Sequence, residues 1–147
     1  MTNTNDGPDL LWHTAAAAHG GRAGHVEGDD AHLKVSLAVP EALGGHGGDG
    51  TTPEALYAAA HAASFQSAIG SAARAGGYPE FGTTSVRCEA GLSRAGGEDT
   101  ALTLHPVLEV RLPGLSAEQA RQLVEQAKTL CPFTQAVRGV EVRLLEP

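Results

Sequence analysis

Apolar positions change period several times along this chain, and each change marks an element. In HLKVSLAV (32–39), Leu33, Val35, Leu37 and Val39 alternate with Lys34, Ser36 and Ala38, the period of a strand with one buried face. LLWHTAAAA (10–18) reads as an earlier strand. Between the two, HGGRAGHVEGDD reads as a Gly-rich turn and a short strand-like piece. TSVRCEAGLSR (84–94) sets Val86, Cys88 and Ala90 on one side. ALTLHPVLEVRL (101–112) alternates throughout, gathering Leu102, Leu104, Leu108, Val110 and Leu112. Its Pro106 points to an edge strand or a bulge, because proline donates nothing to a ladder. VEVRLLE (140–146) closes the chain as a strand.

The helical periods lie between these strands. From Ala55 to Ala73 no side chain is charged. Thr52 can cap this segment, Pro53 suits the first helical position, and Glu54 complements the positive dipole end. Gly76-Gly77 stops it, so a helix is predicted from Pro53 to about Ala75. His61, Ser64, Gln66, Ser67, Gly70 and Ser71 make it too polar for a membrane span. A helix small on every face is expected at the centre of a core, closely approached by its neighbours. A second helix opens at Ser116, where SAEQ forms a capping box with Gln119. Leu123, Val124, Ala127 and Leu130 give its apolar stripe, and Pro132 ends it just after Cys131. Strands, long helix, strands, helix, strand make an α+β order, and succession of strand pairs predicts antiparallel sheets. Residues 1–9 are polar and read as a frayed terminus, 40–52 as a loop leading to the first helix, and its GGHGGDG as a flexible connection.

Composition narrows this picture. The 147 residues suit one domain, and with 41% apolar but only 4% aromatic residues the core must be aliphatic and closely spaced. A net charge of −7 with scattered basic residues disfavours nucleic acid and acidic membranes as partners. MTNTNDGPDL lacks the pattern of a secretory signal. Two distant cysteines make no disulfide framework, so the cytoplasm is the expected compartment.

Most candidate chemistry is weak. The seven histidines show no metal-ligand spacing, so no metal is expected. GGHGGDG lacks the Lys-Ser/Thr of a phosphate loop. His61 and Ser64, three apart, share a helix face as a base and nucleophile would. The sharp elbow and oxyanion hole of a serine hydrolase are missing, and Ser64 reads as a hydroxyl bonded back to its own helix. Cys131 and Cys88 read as buried apolar thiols.

Four segments together resemble a known family. GGRAG (20–24), PEALGGHGGDGTTPEAL (40–56), AAHAASF (59–65) and CPFTQAVRG (131–139) are similar, in that order, to motifs of the Ohr/OsmC group of thiol-dependent organic hydroperoxide peroxidases. AHAAxF leans toward OsmC, whereas GGRAG and CPFTQAVRG lean toward Ohr. The resemblance implies an intertwined homodimer with long central helices packed against antiparallel sheets. It implies a first-helix thiolate that attacks the peroxide, becomes a sulfenic acid and condenses with a second cysteine. A lipoyl-type dithiol, on a lipoylated protein or as another dithiol reductant, would then reduce the disulfide, and no bound cofactor is implied. By position, Arg22 is the arginine that polarises the peroxide, Glu54 its carboxylate partner and Cys131 the resolving thiol.

One position departs from the family. Ser64 stands where the peroxidatic cysteine belongs, and a hydroxyl oxygen cannot pass through sulfenic acid and disulfide states. Two origins fit: a deliberate Cys-to-Ser replacement, which retention of Arg22, Glu54 and Cys131 favours, or natural loss of the thiol. Either way, turnover through Ser64 is not expected. The alternatives are a non-catalytic module binding hydrophobic or peroxidised ligands near Arg22, and a substitute thiol at Cys88.

Overall fold

The computed structural model describes residues 8–97 and 99–147. They group into two compact units, one ending at Pro53 and one beginning at Glu54. Residues 1–7 of the terminus expected to fray lie outside the described residues.

The first unit is an antiparallel meander of β1 (Ala16–His19), β2 (His25–Gly28) and β3 (Lys34–Ser36). His19 pairs with His25 and Val26 with Val35. β1 is shorter than the strand expected over 10–18, because a strand exists only where a ladder holds it. The ladder begins at Ala16, and Leu10, Leu11 and Trp12 before it are exposed. The β1–β2 turn is a single 3-10 turn, Gly21–Ala23, closed by Gly24 N–H donating to the Gly21 carbonyl at 3.1 Å. Only glycine fits at 24, since a Cβ there would lie 1.7 Å from the His19 carbonyl oxygen.

After β3 the loop is not the flexible connection expected from its glycines. Gly45 N–H donates to the Pro40 carbonyl and Gly47 N–H to that of Val39, at 3.1 and 2.9 Å. A Cβ at Gly45 would meet the Val39 carbonyl oxygen at 2.1 Å. Glycine here allows close backbone packing rather than mobility. Leu37 and Thr51 form a parallel bridge that returns the chain alongside the end of β3.

The second unit holds α1 (Pro53–Ala75), β4 (Ser85–Arg94), β5 (Leu102–Arg111), α2 (Ala117–Leu130), α3 (Pro132–Ala136) and β6 (Glu141–Leu145). β4 and β5 pair antiparallel in unbroken register. β6 joins β5 in parallel, not the antiparallel ladder expected, because α2 carries the chain back across before β6 begins. β5 is therefore central rather than an edge. Its Pro106 faces Ala90 without a bulge, and the ladder to β6 starts only at Val107, so the missing N–H breaks no bond on that side.

Phe65, Ala68, Ile69, Ala72 and Ala73 of α1 pack with Leu108 and Val110 of β5, Leu112 just after it, and Ala120, Leu123, Val124 and Ala127 of α2. Phe65 is fully buried, and a side chain of that size contributes roughly 2–3 kcal/mol by leaving water. The other side of α1, with Ala59, Ala60, Ala63 and Ser67, is exposed within the chain. The expectation of burial on every face is therefore met on one face only. α2 opens with the expected box: Gln119 N–H donates to Ser116 Oγ at 3.2 Å, and Ser116 N–H to Gln119 Oε1 at 3.0 Å. It ends at Leu130, which is half exposed rather than part of the buried stripe, while Cys131 turns inward. Among the described residues no helix is long and apolar enough to cross a membrane.

Candidate active site

The site in the second unit begins at the break between α2 and α3. A residue before proline is driven to extended backbone, and Cys131 adopts φ −79° and ψ 115° between the two helices. That turn sends its side chain into the core, where it is fully buried. Half-buried Ser64 faces it from the middle of α1. Its Oγ lies 3.5 Å from Cys131 Sγ, across 67 residues of sequence. The hydroxyl expected to turn back onto its own helix is instead directed at this sulfur.

A second set of polar groups adjoins the pair. His61, one turn before Ser64, is completely buried. Tyr57 Oη lies 2.6 Å from its Nδ1, Thr134 Oγ1 lies 2.9 Å from its Nε2, and Phe133 tilts over the ring at 5.8 Å. Tyr57 and His61 are four apart on a helix, a spacing visible in the sequence. Thr134 is 73 residues away, and only the fold reveals it.

Electrostatics separate the two thiols. Burial is the largest influence on Cys131 and pushes its pKa up. Hydrogen bonds from the Thr134 and Ser64 side chains and the Thr134 and Phe133 backbone together outweigh it, leaving the thiol below its ordinary value. Cys88, half-buried on β4, is pushed up by burial, with Arg87 opposing. Burial lowers His61 and keeps its ring neutral. Burial first, then the charges of Cys88 and Cys131, raise Tyr57 to about 12.

The other residues expected at the site lie on separate elements. Arg22 is the central residue of the 3-10 turn in the first unit and is half-buried. Glu54 lies in the first turn of α1 at the start of the second unit.

Comparison with known proteins places the chain in the OsmC-like protein family. That family's model matches residues 45–144, and the chain belongs to it. Within it, the chain is similar to organic hydroperoxide resistance proteins. It is 35% identical over 133 residues to the one from Xanthomonas axonopodis pv. citri (strain 306), covering 90% of this chain and 92% of that protein. A crystal structure of an organic hydroperoxide resistance protein from Legionella pneumophila superposes with a TM-score of 0.84 at 40% identity, covering 94% of this chain and 98% of that one. The crystal structure of the Bacillus subtilis organic hydroperoxide resistance protein OhrB gives a TM-score of 0.79 at 32% identity, covering 94% and 100%.

Proposed function

We propose that this chain is an organic hydroperoxide peroxidase scaffold whose peroxidatic position is occupied by Ser64, with Cys131 as the resolving thiol. The observation that carries the reading is the 3.5 Å approach of Ser64 Oγ to Cys131 Sγ. A thiol at 64 would need only a small shift to close a disulfide of about 2 Å with its neighbour. In the complete cycle a thiolate at 64 attacks the peroxide oxygen, the O–O bond breaks, and an alcohol leaves with a sulfenic acid behind. Cys131 displaces water from that sulfenic acid to form the disulfide, and an external lipoyl-type dithiol takes the oxidising equivalent. The resemblance assigns Arg22 the peroxide-polarising role and Glu54 the carboxylate role.

Serine supports none of these redox steps, so the chain as it stands does not turn over hydroperoxide through position 64. A homodimer completes the proposal. The small-residue face of α1 and the exposed Leu10, Leu11 and Trp12 are surfaces suited to a second copy.

The test is Ser64→Cys. The variant should consume an organic hydroperoxide in the presence of dihydrolipoamide, while the Ser64 chain does not. A folded but inert variant contradicts the peroxidase reading and leaves a binding role for a hydrophobic or peroxidised ligand, which titration calorimetry of the Ser64 chain then addresses.

A further inference from the structure

The two-thiol reading makes no use of Tyr57, His61 or Thr134, yet these form a continuous polar chain ending on Cys131. Tyr57 Oη meets His61 Nδ1 at 2.6 Å and His61 Nε2 meets Thr134 Oγ1 at 2.9 Å. Thr134 lies in the first turn of α3, three residues after Cys131, where its hydroxyl favours the ionised form of that sulfur. His61 is fully buried, so its ring carries a single proton, and each hydroxyl also has only one to donate.

The chain therefore has two self-consistent polarities. In the first, Tyr57 O–H donates to Nδ1, Nε2–H donates to Thr134, and Thr134 O–H donates to a sulfur that only accepts, a thiolate. In the second every bond is reversed. The S–H donates to Thr134, Thr134 O–H to Nε2, and Nδ1–H to Tyr57.

We infer that Tyr57 and His61 are positioning residues acting on Cys131 through Thr134, so that the His61 tautomer and the protonation of the sulfur change together. Passing from the second polarity to the first moves each proton one place along the chain. The sulfur loses one, the Tyr57 hydroxyl releases one to water, and every group between them stays neutral. Tyr57 is only half-buried, which gives the fully buried sulfur a route for its proton that does not expose it. Ionisable groups acting on these atoms include Tyr57 and His61 of α1, Cys131 itself, and Cys88 of β4. The value of this relay to catalysis rests on the peroxidase reading, whereas its existence does not.

The test uses the full chain carrying Cys88→Ser, so that thiolate absorbance in the far ultraviolet reports Cys131 alone. Thr134→Val should make the thiolate about tenfold scarcer at a given pH, roughly the worth of one hydrogen bond to a charged group. Thr134→Ser should keep the native titration. Tyr57→Phe, three links removed from the sulfur, should move the midpoint when Thr134 is present and add nothing once it is valine. Equal shifts in both backgrounds, or none from Tyr57→Phe, overturn the relay. Without any substitution at the relay itself, the ring nitrogen resonances of His61 should pass from the Nε2–H to the Nδ1–H pattern as pH falls through the Cys131 midpoint. A fixed tautomer also overturns it. No readout involves a peroxide, so failure here leaves the peroxidase proposal standing, and an inert Ser64→Cys protein leaves the relay standing.

Discussion

Replacing His61 by leucine tests whether a neutral imidazole is held in the core. The ring is fully buried between two hydroxyls at 2.6 and 2.9 Å. Leucine has comparable bulk and lies well against Phe133, so the main loss is two hydrogen bonds. Tyr57 and Thr134 are both half-buried and can turn to water, so neither hydroxyl is stranded. The cost at neutral pH is then about 2 kcal/mol, two bonds at about 1 kcal/mol each.

The pH dependence has a definite sign. Burial lowers the folded-state pKa of His61, so the unfolded chain takes up the proton first. The contribution of His61 is complete above the unfolded value of about 6.5 and is lost as pH falls toward the folded one, at up to about 1.4 kcal/mol per pH unit. Leucine suffers no such loss. Urea unfolding of both proteins should therefore show a stability gap of about 2 kcal/mol near neutrality, narrowing by up to about 1.4 kcal/mol one pH unit below the unfolded value. A gap that does not change with pH would refute the reasoning.

Other consequences follow from the same geometry. Oxidising Ser64→Cys to a 64–131 disulfide closes a 67-residue loop, which should add roughly 4 kcal/mol of stability. Melting should then rise by about 10 °C relative to the reduced variant, and coincident melting curves would show that no such lock forms. Phe65→Ala empties a fully buried site beneath α1 and should cost about 3–5 kcal/mol in urea unfolding; a loss below about 1 kcal/mol would mean that α1 is anchored elsewhere. Burial keeps the Cys88 thiol protonated, so Cys88→Ser should leave the peroxidase rate of Ser64→Cys unchanged. A collapse of that rate would instead make Cys88 part of the machinery.

Local signals in the sequence were legible where one residue decides a backbone event. Pro53 and Gly76-Gly77 bracket α1 as it stands, the Ser116–Gln119 box opens α2, and Pro132 turns Cys131 inward. Events decided by distant chain were not. Alternation marks 140–146 as a strand but carries no direction, so the parallel pairing of β6 was invisible. The apolar residues 10–12 look like strand, yet a strand requires a partner, and β2 reaches back only to Ala16. At the site, Ser64 and Cys131 were linked by resemblance rather than by spacing. Half of the polar chain, Tyr57 and His61, lay open at helical separation. Its other half depended on a threonine that the fold alone brings into reach.

The site at which oxidation lands decides whether positions 64 and 131 form one redox pair. The Ser64→Cys protein, treated with one equivalent of an organic hydroperoxide and digested without reductant, should yield a single crosslinked peptide pair joining residues 64 and 131. An unmodified residue 64, with the oxidant consumed at Cys88 or at Cys131 alone, would contradict the assignment of these two positions as one redox pair.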